Sequence, residues 1–259
     1  MITMDRLAYN SKIKDVSPAF KAGLSISALV YTLLVDNALF SIGIFVLMAL
    51  LCTMLSGLRM RRFLKMCAIP FGFLLIGTVT ISVGFSPAPV GFISLPFWGN
   101  YLVITQAGAI LAVNVFLKSM ASISCLYFLY VSTPIGCLLG LLDRMHTPKL
   151  LTELMMMIYR FIFILIGMAE QMALAQKARL GNITYGASFR SISVLASSVF
   201  VGAFQKSTKL YDAMESRGYN GDFAFTGELA GMSNRQKTVL AVYELVLLVT
   251  AVLTKLIAG

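Results

Sequence analysis

The chain has 259 residues, 58% of them apolar and only 12% charged, with a mean hydropathy of +0.85. Soluble domains carry about 25% charged residues, so an ordinary soluble globule, a disordered chain and a secreted disulfide scaffold are excluded. The composition marks an all-α, polytopic membrane protein, and a net charge of +10 points to basic cytoplasmic loops before any nucleic acid.

Met1 to Ser17 is polar, with Asp5, Arg6, Lys12, Lys14 and Asp15, and does not have the shape of a signal peptide. About five spans follow, at ~20 residues per spanning helix. The first runs from Phe20 to Val35 and ends at Asp36-Asn37. The second, Ala38 to Ser56, should fold back on it as a tight hairpin. The third covers Met66 to Phe85, the fourth Tyr101 to Val131, and the last Thr238 to Ile257.

Arg59, Arg61, Arg62 and Lys65 separate the second and third spans. Ser86 to Asn100, with Pro87, Pro89, Pro96 and Trp98, separates the third and fourth and carries no charge. The basic loop is therefore expected in the cytoplasm and the uncharged one outside. With the N-terminus inside, every Lys and Arg except Lys118 and Lys255 falls on or at the edge of the inner side. Five spans put the C-terminus outside; a sixth, partial span would reverse that.

The fourth span is too long. From Tyr101 to Val131 it would reach ~46 Å at ~1.5 Å per residue, against ~30 Å of hydrocarbon, so it should tilt, break or project into the cytoplasm. Asn114 and Lys118 lie one turn apart near its middle. A lysine there costs ~2.5–3.5 kcal/mol on insertion scales, so Lys118 should face protein or water, as part of a pathway or as an interhelical hydrogen-bond donor. Glu244 in the last span is its candidate partner. Gly108-xxx-Ala112 and Gly136-xxx-Gly140 fit close helix contact.

Cys52, Cys67, Cys125 and Cys137 form no Cys-x-x-Cys pair and sit in or beside apolar runs, where a thiol packs as a small hydrophobe. The single histidine, His146, argues against a metal cage within this chain.

From Pro134 to Lys237 charges recur every few residues. Thr147-Pro148 is a good helix start, with Thr as cap and Pro at the first position. The helix can run through Arg160 and Glu170 to Arg179, where Leu180-Gly181-Asn182 stops it. Leu154 to Met168 resembles a further span, but Arg160 interrupts it; a helix at or just beneath the membrane surface is expected. A second helix should run from about Ala187 to Arg217 and stop at Gly218, before Asn220-Gly221. Ile192, Ala196, Val199 and Ala203 give it an apolar face, and Lys206, Lys209, Asp212 and Glu215 crowd its last turns. The resulting organisation is a membrane domain over 1–132, a cytoplasmic coupling domain over 133–237 and a final span over 238–259.

The two helix ends are alike. Ala175-Gln-Lys-Ala178-Arg179 closes one and Ala213-Met-Glu-Ser216-Arg217 the other. An arginine in a last turn suits the helix dipole, and Gly just beyond is a common cap. As a pair the ends also suit recognition. Small residues admit a partner's backbone, and Arg presents five fixed donors to carboxylates or carbonyls.

These features resemble the T component of energy-coupling-factor (ECF) transporters, most closely the CbiQ-like type of cobalt transport. The residues that carry the resemblance are Asp5-Arg6-x-Ala8-Tyr9 with Val16-x-Pro18-x-x-Lys21, the stretch Pro148 to Tyr159-Arg160, and the two arginine ends. Ala213-Met214-Glu215-Ser216-Arg217-Gly218-Tyr219 matches the second family signature. The first, usually Ala-Arg-Gly, is Ala178-Arg179-Leu180 here, with Gly181 displaced by one.

The resemblance implies a non-catalytic coupling subunit in a bacterial-type cell membrane. Two long helices would cross beneath the bilayer with their arginine ends in grooves of two ABC-type ATPase subunits. Arg179 and Arg217 would be the anchors, with Ala178, Ser216, Gly218, Ala213 and Glu215 shaping the contact. ATP and Mg²⁺ would belong to the ATPases and cobalt to a membrane substrate-binding subunit, with no cofactor in this chain, which would otherwise meet lipid and no nucleic acid. No Gly-x-x-x-x-Gly-Lys-Ser/Thr phosphate cradle occurs in it.

Three rival readings stand beside this, one of them a plain scaffold or secretion component. A T subunit for nickel or for a vitamin of the biotin type would differ mainly in its partner. An integral membrane enzyme needs a base, nucleophile or metal cluster at the membrane face, and the scattered acids and lone His146 do not offer one.

Overall fold

The computed structural model describes residues 11, 13, 16–86, 93–97, 100–145, 147–219 and 231–258. Much of the polar N-terminal stretch, including Asp5, Arg6, Ala8, Tyr9, Lys12, Lys14 and Asp15, lies outside them, as do Pro87, Pro89, Trp98, His146 and Asn220-Gly221. The described chain divides into two units, one holding 2–138 and 229–259 and the other 139–228.

The first unit is a helical bundle: α1 (Pro18–Leu34), α2 (Ala38–Met54), α3 (Met60–Ser82), α4 (Gln106–Ser132) and α8 (Asn234–Ala258). The central helix is α4, packed against α1, α2 and α3, with α8 against α1. Phe20, Leu24, Ala28, Ile44, Met48, Phe63, Ala121 and Phe128 form its core together with Cys52, Cys67 and Cys125. Those three thiols are free and buried, and Cys137 is free and half-buried.

Polar groups tie the helices where lipid would offer them no partner. The Ser25 hydroxyl donates to the Cys125 carbonyl at 2.6 Å, Tyr127 to Met66 at 3.1 Å and Tyr243 to Leu24 at 3.2 Å. Asn37 caps α2 by accepting from the Leu39 N–H at 3.0 Å, and its amide donates to Thr254 of α8 at 3.1 Å. The Gly108-xxx-Ala112 contact is present: a side chain at Gly108 would stand 3.4 Å from the Ser82 carbonyl, and Ala112 is buried. Gly136 faces open space instead, while Gly23, which no spacing singled out, lies against Leu240.

Between α3 and α4 runs an antiparallel three-stranded sheet of β1 (Val83–Ser86), β2 (Ile93–Phe97) and β3 (Asn100–Ile104), in the order β1-β3-β2. Its register pairs both Val83 and Ile93 with Ile104. This corrects two expectations. The uncharged segment is not simply a loop, and the fourth span does not begin at Tyr101. Tyr101 to Ile104, with an aromatic and two β-branched residues among its four, pairs as a strand, and Thr105 precedes the helix. With 27 residues, α4 reaches ~40 Å. Likewise α3 starts at Met60 rather than Met66, so Arg61, Arg62 and Lys65 occupy its first turns and Arg59 its N-cap.

The second unit holds most of α5 (Ile135–Arg144), together with α6 (Lys149–Ala178) and α7 (Tyr185–Glu215). The first of these is a short helix that the sequence did not announce. Thr147 does not cap α6: Pro148 is the N-cap, and the Thr147 hydroxyl donates back to the Leu142 carbonyl at 2.7 Å.

Among the described residues five helices are long and apolar enough to cross a membrane, namely α3, α4, α6, α7 and α8, while α1 and α2 are apolar but shorter. The chain is a multi-pass membrane protein. Both long helices of the second unit thus satisfy the same test of length and composition as the spans, Arg160 notwithstanding.

Candidate functional site

The candidate site is the pair of arginine-bearing ends of α6 and α7. At the first, Arg179 closes α6, the Leu180 N–H donates to Lys177 O at 3.0 Å, and the Gly181 N–H reaches back to Gln176 O at 2.9 Å. Leu180 takes φ 60°. At the second, the Gly218 N–H donates to Glu215 O at 2.9 Å, the Tyr219 N–H to Met214 O at 3.1 Å, and Gly218 takes φ 77°. Both are Schellman caps: a left-handed residue follows the arginine, and two amides satisfy the last helical carbonyls. Arg179 and Arg217 therefore hold the same position in two matched turns.

The displaced glycine has a structural reason. A side chain at Gly181 would stand 2.7 Å from Ser191 Oγ and 3.1 Å from Gln176 O. The Ser191 hydroxyl donates to Gly181 O at 2.8 Å, and the Gln176 amide donates to Ser191 O at 3.0 Å. The turn is thus stitched to the first turns of α7, which Thr184 caps by accepting from the Ala187 N–H at 3.2 Å. Glycine is spent on that close approach, and Leu180 is left to adopt the left-handed conformation.

Farther from the turn α6 and α7 meet again, where a Cβ on Gly202 would run into the Met168 methyl. The 31 residues of α7 lie between the two arginines, so they stand roughly 46 Å apart at ~1.5 Å per residue. Ala178, Arg179, Ala213, Glu215, Ser216, Arg217 and Gly218 are all exposed. Ser216 donates its hydroxyl to Ala213 O at 3.0 Å. Neither guanidinium forms an ion pair among the described residues. The arrangement offers two exposed, equivalent forks of donors at opposite ends of a rigid rod.

The Lys118–Glu244 pairing is corrected. Lys118 Nζ lies 2.5 Å from the Asp36 carboxylate, at the α1–α2 turn. Glu244 is on α8, beside Tyr243, whose hydroxyl bonds to α1. Lys21, quoted from the sequence only for the family resemblance, is 1% exposed and donates to the Ser132 carbonyl at the end of α4 at 3.1 Å. Among the described residues no group of three or more His, Cys, Asp or Glu side chains is placed to hold a metal ion.

Residues 10–226 match the family model of the CbiQ cobalt transport protein. The chain belongs to the CbiQ family. It is 31% identical over 227 residues to the cobalt transport protein CbiQ of Salmonella typhimurium, covering 86% of this chain and 99% of that protein. A putative fused cobalt transport protein CbiMQ of Methanocorpusculum labreanum is 30% identical over 87% of this chain, which spans 38% of that longer protein. The energy-coupling factor transporter transmembrane protein EcfT 1 of Listeria monocytogenes is 26% identical over 73% of each chain. In this CbiQ-family chain the matched region contains both arginine ends.

Proposed function

We propose that the chain is the non-catalytic transmembrane T subunit of an ATP-driven importer of the energy-coupling-factor type, with cobalt as the transported ion. Arg179 and Arg217 each engage one of two ABC-type ATPase subunits, which bind ATP and Mg²⁺. Ala178, Ala213, Glu215, Ser216 and Gly218 admit the close approach of those partners. The unit carrying α6 and α7 passes the ATPase motion to the membrane unit, and from there to a separate membrane subunit that holds the cobalt ion. Membership of a family described as a cobalt transport protein supports the ion, and the fused CbiMQ relative supports a membrane partner.

The observation that carries the reading is the equivalence of the two ends. One arginine at a helix terminus is accounted for by the helix dipole. Two in the same cap position, both exposed and roughly 46 Å apart, fit two copies of one partner surface. The lack of a phosphate-binding Gly-Lys-Ser/Thr motif in the sequence fits hydrolysis by other subunits.

The test is co-purification in mild detergent of the full chain with co-expressed ABC-type ATPase subunits from the same organism, with metal analysis of the assembly. Arg217→Glu should abolish ATPase recovery while membrane insertion stays normal, and Arg179→Glu should reduce it. Recovery of the ATPases by Arg217→Glu at the unmodified yield and salt sensitivity would remove the anchor assignment.

A further inference from the structure

In the membrane unit, α2, α3 and α4 enclose an apolar groove of about 410 Å³. Its walls include Ile42 and Phe45 of α2, Cys67 and Phe71 of α3, and Phe116 and Met120 of α4. The hydroxyl of Ser41, also at the wall, is already spent on the Asn37 carbonyl at 3.2 Å. At the rim Ile42 is 44% exposed, Leu64 55% and Phe71 45%, so the groove opens on the outer surface of the bundle.

The same helix that supplies one wall begins with a basic cluster. Arg59, Arg61, Arg62 and Lys65 are all exposed. The sequence has no Asp or Glu from Asn37 to Leu142, and none of the four cations forms an ion pair among the described residues. Arg61 precedes Leu64 by three residues and Lys65 precedes Ala68 by three, and both Leu64 and Ala68 line the groove. Residues three apart neighbour each other on a helix, and side chains lean toward its N-terminus. The positive charge therefore gathers at the end of the groove nearest the start of α3.

We propose that this groove binds an anionic phospholipid. One acyl chain lies between α2, α3 and α4, and the phosphodiester sits against Arg61, Arg62 and Lys65. From Arg61 to Phe71 the helix rises ~15 Å, which is the depth of one leaflet's hydrocarbon. Orientation signals alone account for basic residues at a span's end; they do not account for an open apolar groove beginning one turn above them. The chain already lies in an apolar medium before it enters the groove, so selectivity comes from the head group. Unpaired cations at the bilayer surface favour an anionic head group over a zwitterionic one. This site is independent of the ATPase assignment and stands or falls without it.

The experiment uses the full-length chain in nanodiscs of phosphatidylcholine with and without phosphatidylglycerol, followed by native mass spectrometry of the lipid that stays bound. Phosphatidylglycerol should be retained over phosphatidylcholine by about tenfold or more. The triple variant Arg61→Gln, Arg62→Gln, Lys65→Gln should lose that preference and leave melting in pure phosphatidylcholine unchanged. Ala68→Phe, which fills the groove, should release the bound lipid. Because that variant risks misfolding, a phosphatidylglycerol with a photoreactive acyl chain is applied to the unmodified protein, where crosslinks should concentrate on Phe71, Phe116 and Met120. Equal retention of the two lipids, crosslinks scattered over all helices, or full competition by inorganic phosphate would each overturn the proposal. So would capture of a protein segment in the groove by the same crosslinking chemistry.

Discussion

Leu180 and Gly218 occupy one position in two copies of the same cap, each one residue past an exposed arginine, with φ of 60° and 77°. For an L residue with a side chain this conformation costs about 1–2 kcal/mol, and for glycine nothing comparable. Leu180→Gly should therefore stabilise the first cap, by up to about 1 kcal/mol after the entropy that a glycine adds to the unfolded chain. Gly218→Ala should destabilise the second by about 1 kcal/mol, although open space surrounds it, since the strain is in the backbone. Hydrogen exchange at the Gly181 and Tyr219 amides, the donors that close each cap, reads both effects. Unchanged exchange in both variants would show that the left-handed residue does not limit either turn.

Gly181 should not tolerate a side chain, for a different reason. Its φ is ordinary, but a Cβ there would stand 2.7 Å from Ser191 Oγ. Gly181→Ala should cost about 1–3 kcal/mol, the usual range for overpacking. The cost should shrink in a Ser191→Ala background, where the obstructing hydroxyl is gone. A double-mutant cycle on limited proteolysis of the α6–α7 turn measures that coupling. Additive effects would mean the turn yields elsewhere.

Much of this architecture was legible in the sequence because membrane helices declare themselves by length and composition. The hairpin at Asp36-Asn37, the two long helices and their ends at Arg179 and Arg217 follow from apolar runs and from breakers. What the sequence concealed depends on pairing in space. Tyr101 to Ile104 is as apolar as the helix that follows, and only its partners in β1 and β2 reveal it as a strand. Opposite charge offered Lys118 a choice of acids, and the antiparallel alignment of α1 with α4 decided for Asp36 over Glu244. Thr147-Pro148 fitted a cap pattern, yet the Thr147 hydroxyl found the Leu142 carbonyl first. At the candidate site the arginines were visible in sequence, but the equivalence of their caps was not, because a Leu in the left-handed region has no sequence signature.

Lys21 should matter more than a surface lysine would. It is buried, and its ammonium donates to the Ser132 carbonyl, one of the last carbonyls of α4, which have no partner within the helix. A cation at that end also opposes the negative pole of the helix. Lys21→Met keeps the apolar stem and removes the charge. It should increase exchange at the last turn of α4 at least several-fold, whereas Lys21→Arg should retain much of the protection. If Lys21→Met protects that turn as well as lysine does, the carbonyl is satisfied by another group and the cap is incidental.

Three contacts align α1 with α4 in antiparallel register: Lys21 with Ser132, Ser25 with Cys125, and Asp36 with Lys118. The first two are hydrogen bonds from α1 side chains to α4 carbonyls, while the third is an ion pair that joins the α1–α2 turn to the middle of a span. In water such an exposed pair contributes ~0–1 kcal/mol. Beside hydrocarbon the loss of one partner is dearer, since it leaves a lone charge where hydration is poor. Asp36→Lys and Lys118→Asp should each lower the yield of folded protein several-fold, because each sets two like charges face to face. The double variant should recover most of that yield, since the exchange restores the attraction at the same place. Replacing Glu244 with Gln should leave the yield near normal. Failure of the double exchange to rescue, together with a loss on Glu244→Gln, would return Lys118 to α8 and undo the register of α1 on α4.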